Sequence, residues 1–422
     1  MFAIHWRFVR RIGLAGLMSA CAAHAAALGF DEALRLAQER SRQLPAHEAA
    51  TTAAREMAVA ARQLPDPTLK AGVSNLPING PDQFSLTRDF MTMRNIGLMQ
   101  EFTRGDKRAA RAARFEREAE AAQASRALAL TNLQRDTAIA WLDRHYAERM
   151  RALLAAQRDE SRLQVDAAEA AYRGNRGAQA DVFAARSAVA QIDDRLAQTE
   201  RQLAGATTQL ARWVGAAAAQ PLDTPPAMTS IALQPAELDT TLAHHPQIAV
   251  MFKQEEIALA DAEVARANRH ADWSAELMLS QRGPAYSNMV SLTVALPLQW
   301  DTKNRQDREL AAKLATAEQM RAEREEATRA HVAEARAMLQ EWHSNGERLQ
   351  RYDASILPLA AQRTQAALSA YRGGSGPLTA VLDARRNDID MRMERLRLEM
   401  DTARLWAQLN FLVPASHAAT TP

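Results

Sequence analysis

The feature that most constrains this chain is an internal duplication. Residues 171–186 read AYRGNRGAQADVFAAR, and residues 370–385, which begin 199 positions later, read AYRGGSGPLTAVLDAR. The pairs Gln100/Gln299 and Val182/Val381 keep the same offset, so the repeat extends well beyond one motif. Because each motif places glycines between two long stretches rich in Ala, Arg and Glu, we expect two copies of a helix–turn–helix hairpin.

The segments beside each turn have the composition of very long helices. Residues 104–172 contain no proline, and a helix of that length extends about 100 Å. In the second copy we expect a long helix over residues 303–371, interrupted near Pro358, and a last helix over residues 378–412. Residues 178–214 carry apolar positions at a seven-residue spacing that is typical of a coiled-coil seam. These positions are Val182, Val189, Leu196, Leu203 and Leu210.

Each copy also contains two short segments in which apolar residues alternate with small or polar ones. They cover residues 68–76 and 94–103 in the first copy, and residues 273–281 and 290–300 in the second. Segments of about ten residues with this alternation are typical of outer-membrane barrel strands. Four strands cannot close a barrel, and an open sheet edge cannot face lipid. The strands therefore belong either to an ordinary soluble sheet or, as the duplication favours, to a barrel shared by several chains.

The N-terminus has the features of a secretory signal peptide, which we place at residues 1–25. Arginines precede a short apolar run at residues 12–23, and the sequence AHA at residues 23–25 is a candidate cleavage site. Residues 18–21, MSAC, also resemble a lipobox, in which Cys21 would carry lipid at the mature N-terminus. In the alternative interpretation, Cys21 is removed with the signal peptide.

The composition excludes several classes of function. The 422 residues include one Cys and have a formal charge of +2, so we expect no disulfide within the chain and no nucleic-acid partner. The sequence contains no G-x-S-x-G, P-loop or H-E-x-x-H motif, and we therefore expect no enzyme activity, no cofactor and no resident metal. Met91, Met93 and Met99 leave open a soft-metal contact, while the pair His244-His245 favours a helix end.

Several motifs together indicate a family. They are NLP at residues 75–77, GLMQEF at residues 97–102 with KR at residues 107–108, and the duplicated YRG…VxxAR. Over essentially its whole mature length the chain resembles the TolC-type outer-membrane efflux channels. The resemblance implies a mainly α fold with a small β part, in which duplicated long-helix hairpins form a trimeric helical barrel continuous with a twelve-strand outer-membrane β-barrel.

The resemblance also implies the domain organisation and the partners. We expect a first efflux repeat at residues 26–214, a linker at residues 215–234, a second repeat at residues 235–414 and a disordered tail at residues 415–422. A homotrimer would sit in outer-membrane lipid with a long periplasmic extension. It would conduct substrate passively from an inner-membrane RND-type pump and a periplasmic adaptor, also called a membrane fusion protein.

One segment bears on the substrate. Residues 89–97, DFMTMRNIG, resemble the cobalt–zinc–cadmium and copper/silver branch of the family, which implies export of heavy-metal cations. Organic compounds or drugs are the alternative substrates of the same channel. Two other interpretations are a periplasmic coiled-coil scaffold that never enters a membrane and a secreted enzyme.

The resemblance places a periplasmic gate at the ends of the helices. It implies gate roles for Tyr371 and Asp383; a second acidic position of the family is Ala380 here, and Asp181 in the first copy could supply that charge. In the alternative interpretation, both carboxylates stabilise the starts of helices.

The same resemblance implies that the turns between the helices contact the adaptor. Alternatively, the glycines only permit the turns and the arginines are solvated. The residues expected at this contact are Tyr172, Arg173, Gly174, Gly177, Arg372, Gly373, Gly374 and Gly376.

Overall fold

The computed structural model describes residues 27–231 and 245–412, together with Leu238 and Thr240. The expected signal peptide with Cys21, the residue His244 and the C-terminal tail lie outside these residues. The chain is 70% helical and has a small antiparallel sheet of four strands. This confirms the prediction of a mainly α chain with a small β part.

The described elements follow the order that the duplication predicts.

No helix within the described ranges is long and apolar enough to cross a membrane. The helices are α1 (Phe30–Arg40), α2 (Gln43–Ala61), α3 (Gly105–Arg173), α4 (Gln179–Val214), α5 (Pro246–Ala267), α6 (Gln306–Arg351), α7 (Leu357–Arg372) and α8 (Leu378–Asn410). The strands are β1 (Thr68–Ser74), β2 (Met93–Phe102), β3 (Trp273–Gln281) and β4 (Met289–Ala295).

The long helix that follows the strand pair is continuous in the first repeat and interrupted in the second. In the first copy, α3 runs without a break for 69 residues. In the second copy, a π-helical turn at Tyr352–Ile356 separates α6 from α7. Pro358 follows this turn by two residues, and its ring nitrogen cannot donate the hydrogen bond of a regular helix. The expected interruption near Pro358 is therefore confirmed.

The sheet has the strand order β1-β2-β3-β4 with every pair antiparallel. Two strands are shorter than the sequence predicts. Strand β1 ends before Asn75, whose φ of 56° turns the chain. Strand β4 ends at Ala295, two residues before Pro297, which lacks an amide hydrogen for the ladder. The pairing of β2 with β3 joins the two repeats in one sheet.

The strand register sorts the side chains onto two unlike faces, because successive side chains of a strand point to opposite sides. One face is apolar, and the other carries small and polar residues such as Lys70, Gly97 and Ser291. The apolar face contains two complete rows across the sheet: Leu69, Leu98, Leu277 and Leu292, then Ala71, Ile96, Leu279 and Val290.

Helix α3 is the central helix of the helical part. Its N-terminal half packs between α2 and α5, and its C-terminal half packs between α4 and α8. Helix α6 packs against α5 and α8, and α7 packs against α8. The helices therefore lie side by side, with Ala-rich contacts that allow close approach.

The largest cluster of buried side chains lies near the middle of α3, and we call it the waist cluster. Trp141 is fully buried there, and its indole N–H donates to the Leu28 carbonyl at 3.1 Å. The ring of Phe30 meets that of Trp141 edge to face, with centroids 5.6 Å apart. Trp406 of α8 donates in the same way to the Ser230 carbonyl at 3.1 Å. The waist cluster thus joins both repeats to the N-terminal segment.

The segment that connects the repeats packs onto the same cluster. It begins as a 3₁₀ helix at Gly215–Ala219, and the buried Arg144 donates to the Ala218 carbonyl. Farther along, Leu222 forms a parallel β-bridge with Leu28. Connecting segment and N-terminus therefore hold each other at the waist.

A buried ion pair fixes the junction between sheet and helices. Lys107, in the first turn of α3, contacts Asp272 next to β3, with Nζ and Oδ2 2.8 Å apart. The other carboxylate oxygen of Asp272 accepts the Arg104 amide at 2.9 Å. Because Lys107 is almost fully buried, removal of either partner would leave an uncompensated charge.

Candidate functional site at the helical tips

The two helical tips, at residues 170–182 and 369–381, have the same backbone geometry. At the ends of α3 and α7, three successive backbone amides of the turn donate to carbonyls in the last turn of the helix, at 2.9–3.0 Å. In the first tip Gly174, Asn175 and Arg176 donate to Ala170, Tyr172 and Ala171, and in the second tip Gly373, Gly374 and Ser375 donate to Ser369, Tyr371 and Ala370. Every donor and acceptor keeps the offset of 199 positions, so the duplication extends to individual hydrogen bonds.

Only one residue of each turn needs a left-handed backbone. It is Asn175 in the first tip, with φ of 56°, and Gly374 in the second, with φ of 73°. Gly174 and Gly373 have φ of −82° and −79°, values that any residue adopts. The turn therefore requires a special residue at 374, and Asn tolerates the corresponding position in the first copy.

A second pair of glycines is explained by close packing. A Cβ added to Gly177 would lie 3.1 Å from the Cβ of Ala171, and a Cβ added to Gly376 would lie 3.1 Å from the Cβ of Ala370. The chain therefore leaves each turn so close to the preceding helix that a side chain at this position would crowd it.

The two tips pack against each other. Val182 and Ala185 of α4 form a buried cluster with Leu378 and Val381 of α8. Tyr371, a predicted gate residue, is half-buried against this cluster. The duplicated segments thus lie side by side at one end of the helical part.

The first tip exposes aromatic side chains whose equivalents in the second tip are half-buried. Tyr172 is 48% exposed, whereas its copy Tyr371 is half-buried. Phe183 is 57% exposed, whereas its copy Leu382 packs against the cluster between the tips. Phe183 was not among the residues predicted from the sequence. The signal for it was the alignment of an aromatic residue with an apolar leucine of the second copy, at a position without an obvious core role.

The two acidic candidates have different surroundings. Asp181 lies in the first turn of α4, and its Oδ2 accepts the Ala178 amide at 3.2 Å. This contact satisfies a free amide at the helix start, as the alternative interpretation of Asp181 expects. Asp383, in the second turn of α8, is exposed and forms no ion pair within the described ranges.

Asp383 lines a cavity of about 250 Å³ between α3, α4 and α8, whose wall contains both apolar and polar side chains. Arg385 and Arg386 share the cavity wall, and Arg385 also contacts Glu160 of α3. Both polar side-chain atoms of Gln164 are buried in this region without a hydrogen-bond partner. The cavity is therefore lined by groups that can still bind polar partners.

The arginines of the turns carry the charge at the tips. Arg173 and Arg372 end α3 and α7, where a positive charge is favourable beside the free carbonyls. Both are exposed. Deeper in the first hairpin, Arg186 donates to Glu169 at 2.7 Å and holds the pKa of Glu169 below its ordinary value. The outermost surface is thus positive, and the acidic groups lie behind it.

No group of three or more His, Cys, Asp or Glu side chains suited to a metal ion occurs among the residues described. Met93 pairs with Ser74 and Met99 with Thr68, so these two residues lie about 20 Å apart along β2. His245 is the N-cap residue immediately before α5, where its Nδ1 accepts the Gln247 amide at 3.2 Å.

Comparisons with known proteins bear on the fold. No family model and no curated protein matches the sequence. Among solved structures, the outer-membrane channel OprN has a TM-score of 0.75 at 18% identity, with 91% of this chain and 90% of that chain covered. CusC has a TM-score of 0.72 at 17% identity, covering 92% and 93%, in a study of its transmembrane channel formation.

A third structure is the CmeC outer-membrane channel of Campylobacter jejuni, with a TM-score of 0.75 at 11% identity and coverage of 91% and 85%. All three comparisons cover more than nine-tenths of this chain. The protein therefore has the fold of the TolC-type outer-membrane efflux channels, as the sequence resemblance predicts.

Proposed function

We propose that this protein is the outer-membrane subunit of a tripartite efflux system. Three copies form a channel that passively conducts substrate from an adaptor and an inner-membrane RND-type pump to the exterior. The observation that carries the proposal is the sheet. The apolar face of the sheet is exposed. Each of its two outer strands, β1 and β4, pairs along only one side within the described chain. The sheet stands at one end of helices about 100 Å long.

The apolar face has the exposure and the dimensions of a lipid-facing surface. Leu69 is 68% exposed and Leu292 is 72% exposed, although a soluble sheet would bury such a row. Strand β2 has ten residues, and a tilted strand that spans a membrane needs about 9–11 residues. At the helical end of the face, Phe102 stacks on Trp273 with ring centroids 4.2 Å apart. Aromatic residues at this level are typical of a membrane interface.

The open edges support assembly of several copies. Backbone groups at the outer edges of β1 and β4 cannot face lipid without hydrogen-bond partners. Pairing β1 of one copy with β4 of the next satisfies both edges and closes the sheet. Two copies would supply eight strands and three copies twelve, and the resemblance to the TolC-type channels favours three.

The position of the tips at one end of the helices supports a gate role for them. The helical end opposite the sheet would face the periplasm, and threefold symmetry would bring six tips around its entrance. Asp383 is exposed there and lacks an ionic partner in the described part of the chain, so three copies would form an acidic ring that favours cations. Tyr371 packs beside this position and would help to narrow the entrance.

The outermost residues of the tips would contact the adaptor. Arg173 and Arg372 present solvated positive charge, and Tyr172 adds an exposed aromatic ring. The glycines of the turns keep this surface free of bulky side chains. An adaptor with acidic groups at its own end would complement these tips.

For the substrate we propose heavy-metal cations, with organic compounds as the second candidate. The support is the resemblance of residues 89–97 to the metal-efflux branch, together with the acidic ring that Asp383 would form. Deletion of the gene should lower the tolerated concentration of Co²⁺, Zn²⁺, Cd²⁺, Cu⁺ or Ag⁺. Sensitivity to organic compounds alone would favour the second candidate.

Membrane fractionation and conductance test the channel itself. The protein should be found in the outer membrane as a trimer, and purified trimers should form ion-conducting pores in planar bilayers. Recovery only in the soluble periplasmic fraction would support the coiled-coil scaffold instead and contradict the channel.

The gate role of Asp383 has its own test. Replacing Asp383→Asn should lower the preference for cations over anions in single-channel recordings, because it removes three charges from a narrow entrance. The matched control is Asp181→Asn, which removes the same number of charges from a carboxylate bound to the Ala178 amide. An equal loss of selectivity in both variants, or in neither, would contradict a specific role for Asp383.

A further inference from the structure

A charged side chain stands at one end of the apolar sheet face. Arg94 pairs with Val73 of β1 and Gln281 of β3, and it points to the same side as the leucine row. Phe102 and Trp273 mark the opposite end of that face. A guanidinium in the middle of a lipid-facing surface costs about 2–4 kcal/mol but almost nothing near the interface. Arg94 therefore belongs at the level of the lipid headgroups on the outer side.

The hydrogen bonds of Arg94 are incomplete within the protein. Its terminal nitrogen donates to the Arg282 carbonyl at 3.5 Å, the upper limit of such a bond. Its Nε is buried and has no partner. No carboxylate in the described residues forms an ion pair with this guanidinium. Arg94 as a whole is only half-buried, so its terminal nitrogens, unlike the enclosed Nε, can meet an acceptor from outside the chain.

A second arginine adds positive charge at the same corner. Arg282 donates to the Phe90 carbonyl and lies over the ring of Tyr286, 4.8 Å from its centroid. Its Nε also lacks a partner. The acid beside Phe90 in the chain is Asp89, whose Oδ1 accepts the Met91 amide at 2.8 Å and stays bound to the loop. The corner therefore has two guanidinium groups without an ionic partner in the described chain.

We propose that Arg94, assisted by the charge of Arg282, binds the phosphate group of a lipid beside the outer end of the barrel. The planar fork of an arginine matches phosphate oxygens with two parallel hydrogen bonds. The apolar rows below Arg94 would hold the acyl chains of the same lipid, so headgroup and chains bind together. This inference depends on the proposed function, because it requires the apolar face to lie in a membrane.

Native mass spectrometry of purified trimers tests the site. The probes are dioleoyl phosphatidic acid and dioleoylglycerol, which differ only by the phosphate, and inorganic phosphate serves as the free anion. Arg94→Gln should reduce the adducts of phosphatidic acid about tenfold and leave those of dioleoylglycerol unchanged. Arg94→Lys keeps the charge but loses the fork and should give an intermediate reduction.

The matched control is Arg88→Gln, which removes the same charge from the adjoining loop. Arg88 is exposed and pairs with Asp82 at 3.5 Å, so its loss should leave lipid adducts at the wild-type level. Equal adducts for Arg94→Gln and wild type, an equal reduction in Arg88→Gln, or displacement of the lipid by millimolar phosphate would each overturn the lipid site. Fractionation separates this inference from the proposed function. Absence of the wild-type protein from the membrane would refute the channel. Membrane trimers whose lipid adducts do not change in Arg94→Gln would refute only this inference.

Discussion

The tips show how single residues maintain a shared turn while the surface around it changes. The left-handed position is Asn175 in one copy and Gly374 in the other, yet both turns keep the same three backbone hydrogen bonds. Because these bonds involve only the backbone, neighbouring side chains such as Tyr172 and Tyr371 can differ in exposure. Geometry is thus conserved between the copies, and surface chemistry is not.

This view gives a prediction for the second tip. Replacing Gly374→Ala should destabilise the turn by about 1 kcal/mol, because alanine disfavours a φ of 73°. Amide hydrogen exchange at Ser375, which donates to Ala370, should then become several-fold faster. The control is Gly373→Ala, since its φ of −79° suits alanine and its Cβ would lie 3.4 Å from the Ser369 carbonyl. Comparable exchange in both variants would rule out the backbone explanation.

Among the helices, the π-helical turn of the second repeat is the largest departure from internal symmetry. Within it, Asp353 accepts two hydrogen bonds from Arg395 of α8, at 2.6 and 3.1 Å. Arg395 also bonds Glu399 at 2.6 Å, and Glu399 accepts Arg149 of α3 at 2.8 Å. The irregular turn is therefore held to two other helices by a continuous charged network.

The network should make stability depend on pH. Arg395 lowers the pKa of Asp353, so the ionised carboxylate stabilises the fold at neutral pH, and this contribution disappears as the pH falls through the lowered pKa. Asp353→Asn should lose roughly 0.5–1 kcal/mol at pH 7, a partly exposed pair being screened by solvent. The difference from wild type in urea unfolding should shrink between pH 5 and pH 3.

The matched control for that measurement is Glu326→Gln. Glu326 and Arg329, which both lie in α6, form an ion pair at 2.7 Å, but both side chains are more than 70% exposed. Its replacement should change stability little at any pH. A pH-independent defect in Asp353→Asn would mean that the carboxylate acts through packing and not through its charge.

The elements also show what a sequence of this kind can reveal. The heptad of Val182, Leu196 and Leu210 predicts α4 almost to the residue, because its apolar period is local. The waist cluster could not be predicted, since Leu28, Trp141 and Trp406 come together from three distant parts of the chain. The sequence left two interpretations of Asp181 open, a gate residue and a helix cap, because spacing alone does not show from which backbone amide a carboxylate accepts a hydrogen bond.

For the whole molecule, the two faces of the sheet define the environment that the chain requires. A face of leucines opposite a face with Lys70 and Ser291 fits a wall between lipid and water. In the proposed channel this wall would need further copies, because β1 and β4 each have one partner in the described chain. Under the proposed function, membrane insertion and assembly would both follow from this one sheet.

Adjacent residues of β4 provide a test at this scale. Leu292→Arg should strongly reduce the amount of trimer in the outer membrane, because an arginine near the middle of the lipid-facing surface costs about 2–4 kcal/mol in each copy. Ser291→Arg introduces the same residue one position away on the polar face, and its trimer should remain abundant. Heat-modified gel mobility of membrane fractions measures both. Equal losses would contradict the assignment of the faces.

The pairing of β2 with β3 also sets the order in which the protein can be made. Arg94 and Gln281 are partners although 187 positions separate them, whereas each helical hairpin closes between neighbouring segments. Local contacts form faster than distant ones, so the hairpins should fold while the strands still wait for their partners. During that interval the strand edges and the leucine rows are exposed to other chains and can mispair. In the proposed membrane channel, the strands would therefore have to be shielded until the bilayer and the neighbouring copies cover them.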